Sequence, residues 1–141
     1  MTHTRTVRVV GDDRVFVIED ELEGQGIHDF ELNFQLAPDR NAEISTLQNC
    51  VTCRTLGNPQ VQITVTGPAS LEGSVQPSLI SATYGATVPA LKVRIWGRAA
   101  VPMRISTRIA WAEVEDIPIG RTDLTQEAKL RDTLVEGVCQ E

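Results

Sequence analysis

The feature that most constrains the fold is a strict alternation of apolar and polar residues. It is clearest in HDFELNFQLA (28–37), where Phe30, Leu32, Phe34 and Leu36 alternate with polar side chains. Successive side chains of a β-strand point to opposite faces, so this stretch predicts a strand with one face in a core and one in solvent. Strands of this kind are typical of antiparallel sheets.

Similar segments recur along the chain between short turn signals. They predict strands at residues 4–10, 14–22, 28–37, 42–47, 50–56, 61–66, 79–85, 90–97 and 102–111, with a loop at 67–78. About nine short strands with no helices between them predict an all-β fold, an antiparallel β-sandwich over residues 1–116. Turn residues predict hairpins at GDD (11–13), at GQG (24–26) and between the last two strands.

The C-terminal part is predicted to be helical. In TDLTQEAKLRDTLVEG (122–137), Asp123 is an N-cap with Gln126 at the capping-box position. Leu130 and Leu134 form an apolar stripe on this helix. A lone helix of this length is not stable in water, so residues 117–141 are expected to dock, on the sandwich or on a domain missing from the chain.

Composition excludes several classes of function. The net charge of −6 disfavours a nucleic-acid partner, which needs a basic surface. No apolar run approaches the ~18 residues of a membrane span, and the N-terminus lacks the apolar region of a signal peptide. With two His and one Tyr, the chain offers no catalytic triad, phosphate loop or metal motif. We therefore expect no catalytic residue, no cofactor and no metal.

The three cysteines give little support to a metal site. Cys50 and Cys53 form CVTC, and Cys139 lies near the C-terminus. Residues three apart in a strand face opposite sides, so the two thiols of CVTC would not converge on one ion. The cysteines are interpreted as ordinary buried thiols.

His28 lies among the carboxylates of EDELEGQGIHDFELNFQLAPD (19–39). Such neighbours favour the charged imidazole, which suits a proton donor and a surface ion pair equally well. A general base also needs a pocket, a partner acid and an oriented substrate. We therefore interpret His28 as a surface residue at a hairpin, beside a solvated acidic face.

One face of the predicted last hairpin is basic. Alternation groups Lys92, Arg94 and Trp96, with Arg98 in the connection and further arginines on the next strand. Arginines and an aromatic ring can hold an anionic sugar. Alternatively, the cations pair across the sheet with the acidic strands. The single tyrosine is either a strand-end aromatic or a sugar or partner contact. The predicted substrate-binding residues are Tyr84, Lys92, Arg94, Trp96, Arg98 and Arg108.

Two stretches resemble the C-terminal β region of heparinase II/III-like polysaccharide lyases. RTVRVVGDDRVFVIEDELEGQGIHDFELNFQLAPD (5–39) is similar to the family's V.D...G.G.H..E..FHLAP pattern, and SATYGATVPALKV (81–93) to its S..YG...PA..L pattern. The resemblance implies a module of a larger bacterial enzyme, periplasmic or secreted. In that enzyme, an N-terminal α/α-toroid and the preceding β region cleave uronic-acid-containing polysaccharides by β-elimination. The implied partners are that N-terminal catalytic domain and an anionic polysaccharide.

The resemblance transfers no catalytic residue to this chain. Gln35 stands where the family often has histidine, and the family's other His-containing segments have no counterpart here. The sequence therefore predicts a non-catalytic module that supports the catalytic region and contacts substrate at most locally. A free-standing β-sandwich that binds carbohydrate or protein is the alternative. A small lyase using Tyr84 and His28 is the third hypothesis, and it requires both side chains at a common cleft.

Overall fold

The chain folds into two antiparallel sheets that face each other in the computed structural model, which describes residues 1–11 and 14–112. The strands are β1 (Thr2–Val10), β2 (Val15–Glu23), β3 (Ile27–Gln35), β4 (Ala42–Leu47), β5 (Cys50–Thr55), β6 (Gln60–Thr66), β7 (Leu71–Thr83), β8 (Ala86–Ala100) and β9 (Met103–Ala112). The large sheet has the order β1-β2-β9-β6-β5-β4 and the small sheet the order β3-β8-β7. The predicted β-sandwich of about nine strands is confirmed. The helix predicted over 122–137 lies outside the described residues.

Two of the predicted hairpins are wrong. β2 pairs with β1 and β9 in the large sheet, whereas β3 pairs with β8 in the small sheet, so the chain changes sheets at residues 24–26. It changes back between β8 and β9, because β9 lies between β2 and β6. Placing consecutive strands in opposite layers buries their apolar faces against each other. Alternation predicts which face of a strand is buried, but it does not identify the neighbouring strand.

The predicted loop at 67–78 is largely strand, since β7 begins at Leu71. Gly73 and Pro77 made this segment look like a loop. β7 forms an edge of the small sheet, where a proline without an N–H group is tolerated.

The core lies between the two layers. The large sheet contributes strands β5, β6 and β9, and the small sheet contributes β7 and β8. The most deeply buried apolar side chains are Val51, Cys53, Ile63, Val65, Leu71, Val93, Ile95 and Ile105. The same alternation that fills this core sends every second side chain of β8 to the outer surface.

Gly97 lies at a tight contact inside this core, so adding a side chain there should destabilise the fold. A Cβ at this position would be 2.7 Å from Phe30 Cζ and 3.0 Å from Leu71 Cδ2. We expect Gly97→Ala to lower the free energy of unfolding by about 2 kcal/mol, because overpacking displaces an aromatic ring. Urea unfolding measures the change. Ala100→Val, at an exposed position of the same strand, should change stability by less than about 0.5 kcal/mol. Equal effects of the two substitutions would contradict the prediction.

Strands β7 and β8 continue beyond the rest of the small sheet as a two-stranded arm, residues 79–89. Pairing of β8 with β3 stops at Lys92, so within residues 1–11 and 14–112 the residues of the arm pair only with each other. Leu79, Tyr84 and Val88 are exposed on it, and no charged residue occurs between Glu72 and Lys92.

A search for membrane-spanning helices over residues 1–11 and 14–112 finds none of sufficient length and hydropathy.

Candidate functional site

The outer face of the small sheet holds most of the predicted binding residues. β8 is its central strand, and the core residues Val93 and Ile95 alternate with outward-facing side chains. Those side chains are Lys92, Arg94, Trp96 and Arg98. Strict alternation in this strand therefore places four of the six predicted residues on one surface, which we call the β8 face.

Polar side chains of the flanking strands extend the β8 face on both sides. Residues of β3 and β7 that pair with the outward residues of β8 face the same way. In register, Lys92 lies between Gln35 and Gln76, Arg94 between Asn33 and Ser74, and Trp96 between Glu31 and Glu72. Arg98 pairs with Asp29. The surface is thus a grid of amides, hydroxyls, cations and carboxylates around one indole ring.

Ion pairs engage two of the arginines. Arg94 Nη2 lies 2.8 Å from Glu31 Oε2, and Arg98 Nη1 lies 3.5 Å from Asp29 Oδ1. The hydrogen bond from Arg94, with a second from Asn33, lowers the pKa of Glu31. Arg94 also stacks over Trp96, with Cζ 4.6 Å from the ring centroid. Acidic β3 therefore supplies the partners of these cations, and the guanidinium beside the indole is held in place.

A shallow depression of about 800 Å³ lies at the Trp96 end of this face. Its rim carries carboxylates of both flanking strands as well as Arg94 and Arg98. The three cations of the β8 face stand against three carboxylates, Asp29, Glu31 and Glu72, so the surface is close to neutral. It can stack a ring on the indole and exchange hydrogen bonds with hydroxyls, but it does not have the excess positive charge that captures polyanions.

Two predicted binding residues lie elsewhere. Tyr84 is fully exposed at the tip of the arm. Arg108 lies on the outer face of the large sheet, in register with Val17 and Thr64. The grouping of β8 and β9 cations on one surface is therefore wrong, because the two strands lie in opposite layers. Arg104 on β9 pairs instead with Glu21.

His28 and Tyr84 do not share a cleft. His28 pairs with Ala99 near the end of β8, whereas Tyr84 precedes the start of that strand. At about 3.3 Å per residue, the two lie roughly 40 Å apart along β8. The ring of His28 donates a hydrogen bond from Nε2 to the carbonyl oxygen of Gln25 at 2.9 Å. This placement does not support the hypothesis of a small lyase that uses both residues.

The cysteines of CVTC lie on opposite faces of β5, as the alternation predicts. Cys53 is a free thiol in the core, and burial raises its pKa to about 11. Cys50 is also buried, but it is part of a disulfide, so its interpretation as an ordinary thiol is wrong. Within the described ranges, no group of three or more His, Cys, Asp or Glu side chains is arranged to hold a metal ion.

The sequence analysis missed a buried ionic cluster on β1 and β2. Asp20 is 2% exposed, and Arg5 donates to both of its carboxylate oxygens, at 2.7 and 3.0 Å. His3 Nε2 lies 2.7 Å from the same carboxylate. Burial opposes ionisation of Asp20, but the hydrogen bonds from Arg5 and His3 outweigh it and lower its pKa. Alternation along β2 places Asp20 on the same face as Phe16, because the two are four residues apart. The unbroken apolar run VFVI hides this alternation in the sequence.

Comparison with solved structures finds the same fold in lyases. The heparan sulfate lyase HepC from Pedobacter heparinus matches 82% of this chain with a TM-score of 0.63 and 14% identity. A heparinase III from Bacteroides, the BT4657 gene product, matches 79% with a TM-score of 0.58 and 22% identity. The chain spans 18% and 17% of the lengths of these two proteins. No curated protein matches the chain.

The sequence itself also matches a family model. The model describes the C-terminal region of heparinase II/III-like proteins, and the match covers residues 1–112. That range includes all nine strands and both stretches that carried the resemblance. The chain therefore belongs to the heparinase II/III-like C-terminal family.

Proposed function

We propose that this chain is the non-catalytic C-terminal module of a polysaccharide lyase that acts by β-elimination, and that it supports the catalytic region by docking against it. The observation that carries the proposal is an inner sheet face left bare along the edge strand β1. The large sheet is twice as wide as the small one, with six strands against three, so part of its inner face extends past the covering layer.

The bare face is apolar at one end and ionic at the other. Val7 and Val9 are 58% and 50% exposed, although their side chains face the same way as the core residues of the sheet. Beside them, Phe16 stacks on Trp111 with ring centroids 5.2 Å apart. All nine residues of β1 are exposed, and β1 is an edge strand. A free-standing domain rarely leaves an apolar sheet face beside an open strand edge, whereas a module that packs on a preceding domain requires one.

Hydrogen exchange tests this docking. Amide exchange is compared between the isolated chain and the same chain joined to the preceding part of its parent lyase. We expect at least about tenfold slower exchange in β1 of the joined protein, because a partner removes the edge from solvent. Strand β4, the edge strand at the other side of the same sheet, is the internal control and should not change. Equal exchange of β1 in both proteins would contradict the docking.

The absence of catalysis by the module alone has its own test. The purified chain is incubated with heparan sulfate, and ultraviolet absorbance reports the unsaturated uronate that β-elimination produces. We expect no product, since His28 and Tyr84 lie at opposite ends of β8. Product formation by this chain would overturn the proposed role.

A second role, local contact with the polysaccharide, is favoured by the β8 face. Trp96 and the flanking amides provide ring stacking and hydrogen bonds over an open depression. Because Arg94 and Arg98 are already paired with carboxylates, the contact would be weak and would depend little on charge.

Tryptophan fluorescence checks this contact, with heparan sulfate oligosaccharides as the probe. We expect saturable quenching with a Kd of ~1 mM. This Kd should change by at most about twofold between 50 and 200 mM salt, because the face is nearly neutral. Trp96→Ala should abolish the response. Trp111→Phe removes the other tryptophan, which lies on the large sheet, and should preserve it. Quenching that survives in Trp96→Ala would exclude the β8 face as the binding surface.

A further inference from the structure

The depression on the β8 face carries an excess of negative charge, although the face as a whole is nearly neutral. Over residues 1–11 and 14–112, its charged lining consists of two arginines and three carboxylates, namely Arg94, Arg98, Asp29, Glu31 and Glu72. Lys92, the third cation of the face, lies outside this lining. The described part of the depression therefore has one more carboxylate than cations, whereas capture of an anionic polysaccharide needs the reverse.

Glu72 is the carboxylate in excess. Glu31 is bound to Arg94 at 2.8 Å, and Asp29 lies 3.5 Å from Arg98. Within the two described ranges, the exposed side chain of Glu72 has neither an ion pair nor a hydrogen bond. Register places Glu72 directly beside Trp96 on β7, as it places Glu31 beside Trp96 on β3. A free hydrogen-bond acceptor thus lies next to the indole.

The two arginines of the depression are poorly placed to bind an anion. Arg94 is held by Glu31 and lies over the ring of Trp96, with Cζ 4.6 Å from the ring centroid. Arg98 Nη1 lies 3.5 Å from both carboxylate oxygens of Asp29. An incoming uronate or sulfate would have to displace one of these carboxylates, and it would then be repelled by the free carboxylate of Glu72.

An uncharged sugar avoids this repulsion. Its hydroxyl groups donate hydrogen bonds, and a carboxylate accepts them through two oxygens, so that adjacent hydroxyls can share one carboxylate. Its apolar C–H groups pack on an aromatic ring. Because directly opposed side chains of neighbouring strands start roughly 5 Å apart, a sugar on Trp96 lies within reach of Glu31 and Glu72. Phe30 and Ala69 add apolar lining.

We propose that the Trp96 depression binds an uncharged sugar with adjacent hydroxyl groups, and that Glu72 selects this sugar over a uronate or a sulfated sugar. The inference rests on the proposed contact between the β8 face and the polysaccharide, and it names the part of the polymer that makes the contact. The charged sugars of the polymer are then bound by other parts of the parent lyase.

Two matched oligosaccharides test the selection. Cellotetraose and the tetramer of β-1,4-linked glucuronate differ only at C6, which carries a hydroxymethyl group in the first and a carboxylate in the second. Both are titrated into the Trp111→Phe chain, in which Trp96 is the single tryptophan, and fluorescence is followed in about 50 mM salt, where screening is weak. We expect cellotetraose to bind about fivefold more tightly, as one exposed like-charge contact allows.

Two glutamate variants separate the role of Glu72 from that of net charge. Glu72→Gln should weaken the binding of cellotetraose about threefold, because a charged acceptor is lost, and should remove the preference for cellotetraose over the glucuronate tetramer. Glu43→Gln makes the same change of net charge at an exposed position of β4, on the large sheet. It should leave both affinities unchanged.

The outcomes distinguish this selection from the contact itself. Equal or tighter binding of the glucuronate tetramer would overturn the selection and leave the contact at Trp96 in place. Identical behaviour of Glu72→Gln and Glu43→Gln would overturn the role of Glu72. No response to either tetramer up to about 20 mM, well above the expected Kd, would also overturn the selection. The titration with heparan sulfate oligosaccharides then decides whether the contact of the β8 face stands.

Discussion

Leu71→Ala is expected to lower the free energy of unfolding by about 3 kcal/mol, within the range for buried leucines truncated to alanine. Leu71 is 2% exposed at the start of β7 and packs between the two layers. Its removal leaves a cavity between the two sheets. Neighbouring strands hold the walls of this cavity in register, so the walls can relax only in part to fill it. Thermal unfolding should show a fall of the midpoint by roughly 10 °C.

The same strand provides a matched control. Leu79 lies on the arm and is 66% exposed, so Leu79→Ala makes an identical chemical change without opening a cavity. We expect a change below about 0.5 kcal/mol for Leu79→Ala. Comparable losses of stability from both substitutions would mean that Leu79 is packed in solution as Leu71 is, and that the arm is not exposed.

The contrast between Leu71 and Leu79 also shows what could be predicted from the sequence. Both are leucines, and the sequence analysis placed Leu71 in a loop and Leu79 in a strand. Burial depends on whether a second layer lies opposite, which is a property of topology. The alternation within each strand was predicted well because it is local, as in Lys92, Arg94 and Trp96.

The candidate site followed the same rule. Residues on one strand were grouped correctly, and residues grouped across a predicted hairpin were not, since β8 and β9 lie in different sheets. A short connection between two alternating strands is equally compatible with a hairpin and with a crossing between layers. Nothing in the local pattern around residues 24–26 or 101–102 separates these two arrangements. The grouping of Arg108 with the cations of β8 was wrong for this reason.

Arg5→Ala is expected to destabilise the fold by about 1–2 kcal/mol at pH 7, at the low end for hydrogen bonds to charged groups because Arg5 is half exposed. It removes the two hydrogen bonds to Asp20 and leaves a buried carboxylate that keeps its contact with His3. Asp20→Asn should lose a similar amount, since it keeps the shape of the side chain and removes its charge. Urea unfolding at pH 7 measures both.

The dependence on pH distinguishes this cluster from ordinary packing. The pKa of Asp20 is lower in the folded chain than its usual value, so its ionisation contributes stability above about pH 4. That contribution is lost as the pH falls through the folded pKa, because the folded state must then take up a proton it binds poorly. The stability difference between the natural chain and Asp20→Asn should therefore shrink as the pH falls below about pH 4. Glu23→Gln, at the exposed end of the same strand, should give no such difference. A stability difference between the natural chain and Asp20→Asn that stays constant down to about pH 2.5 would contradict this prediction. It would mean that the charge of Asp20 contributes nothing to stability.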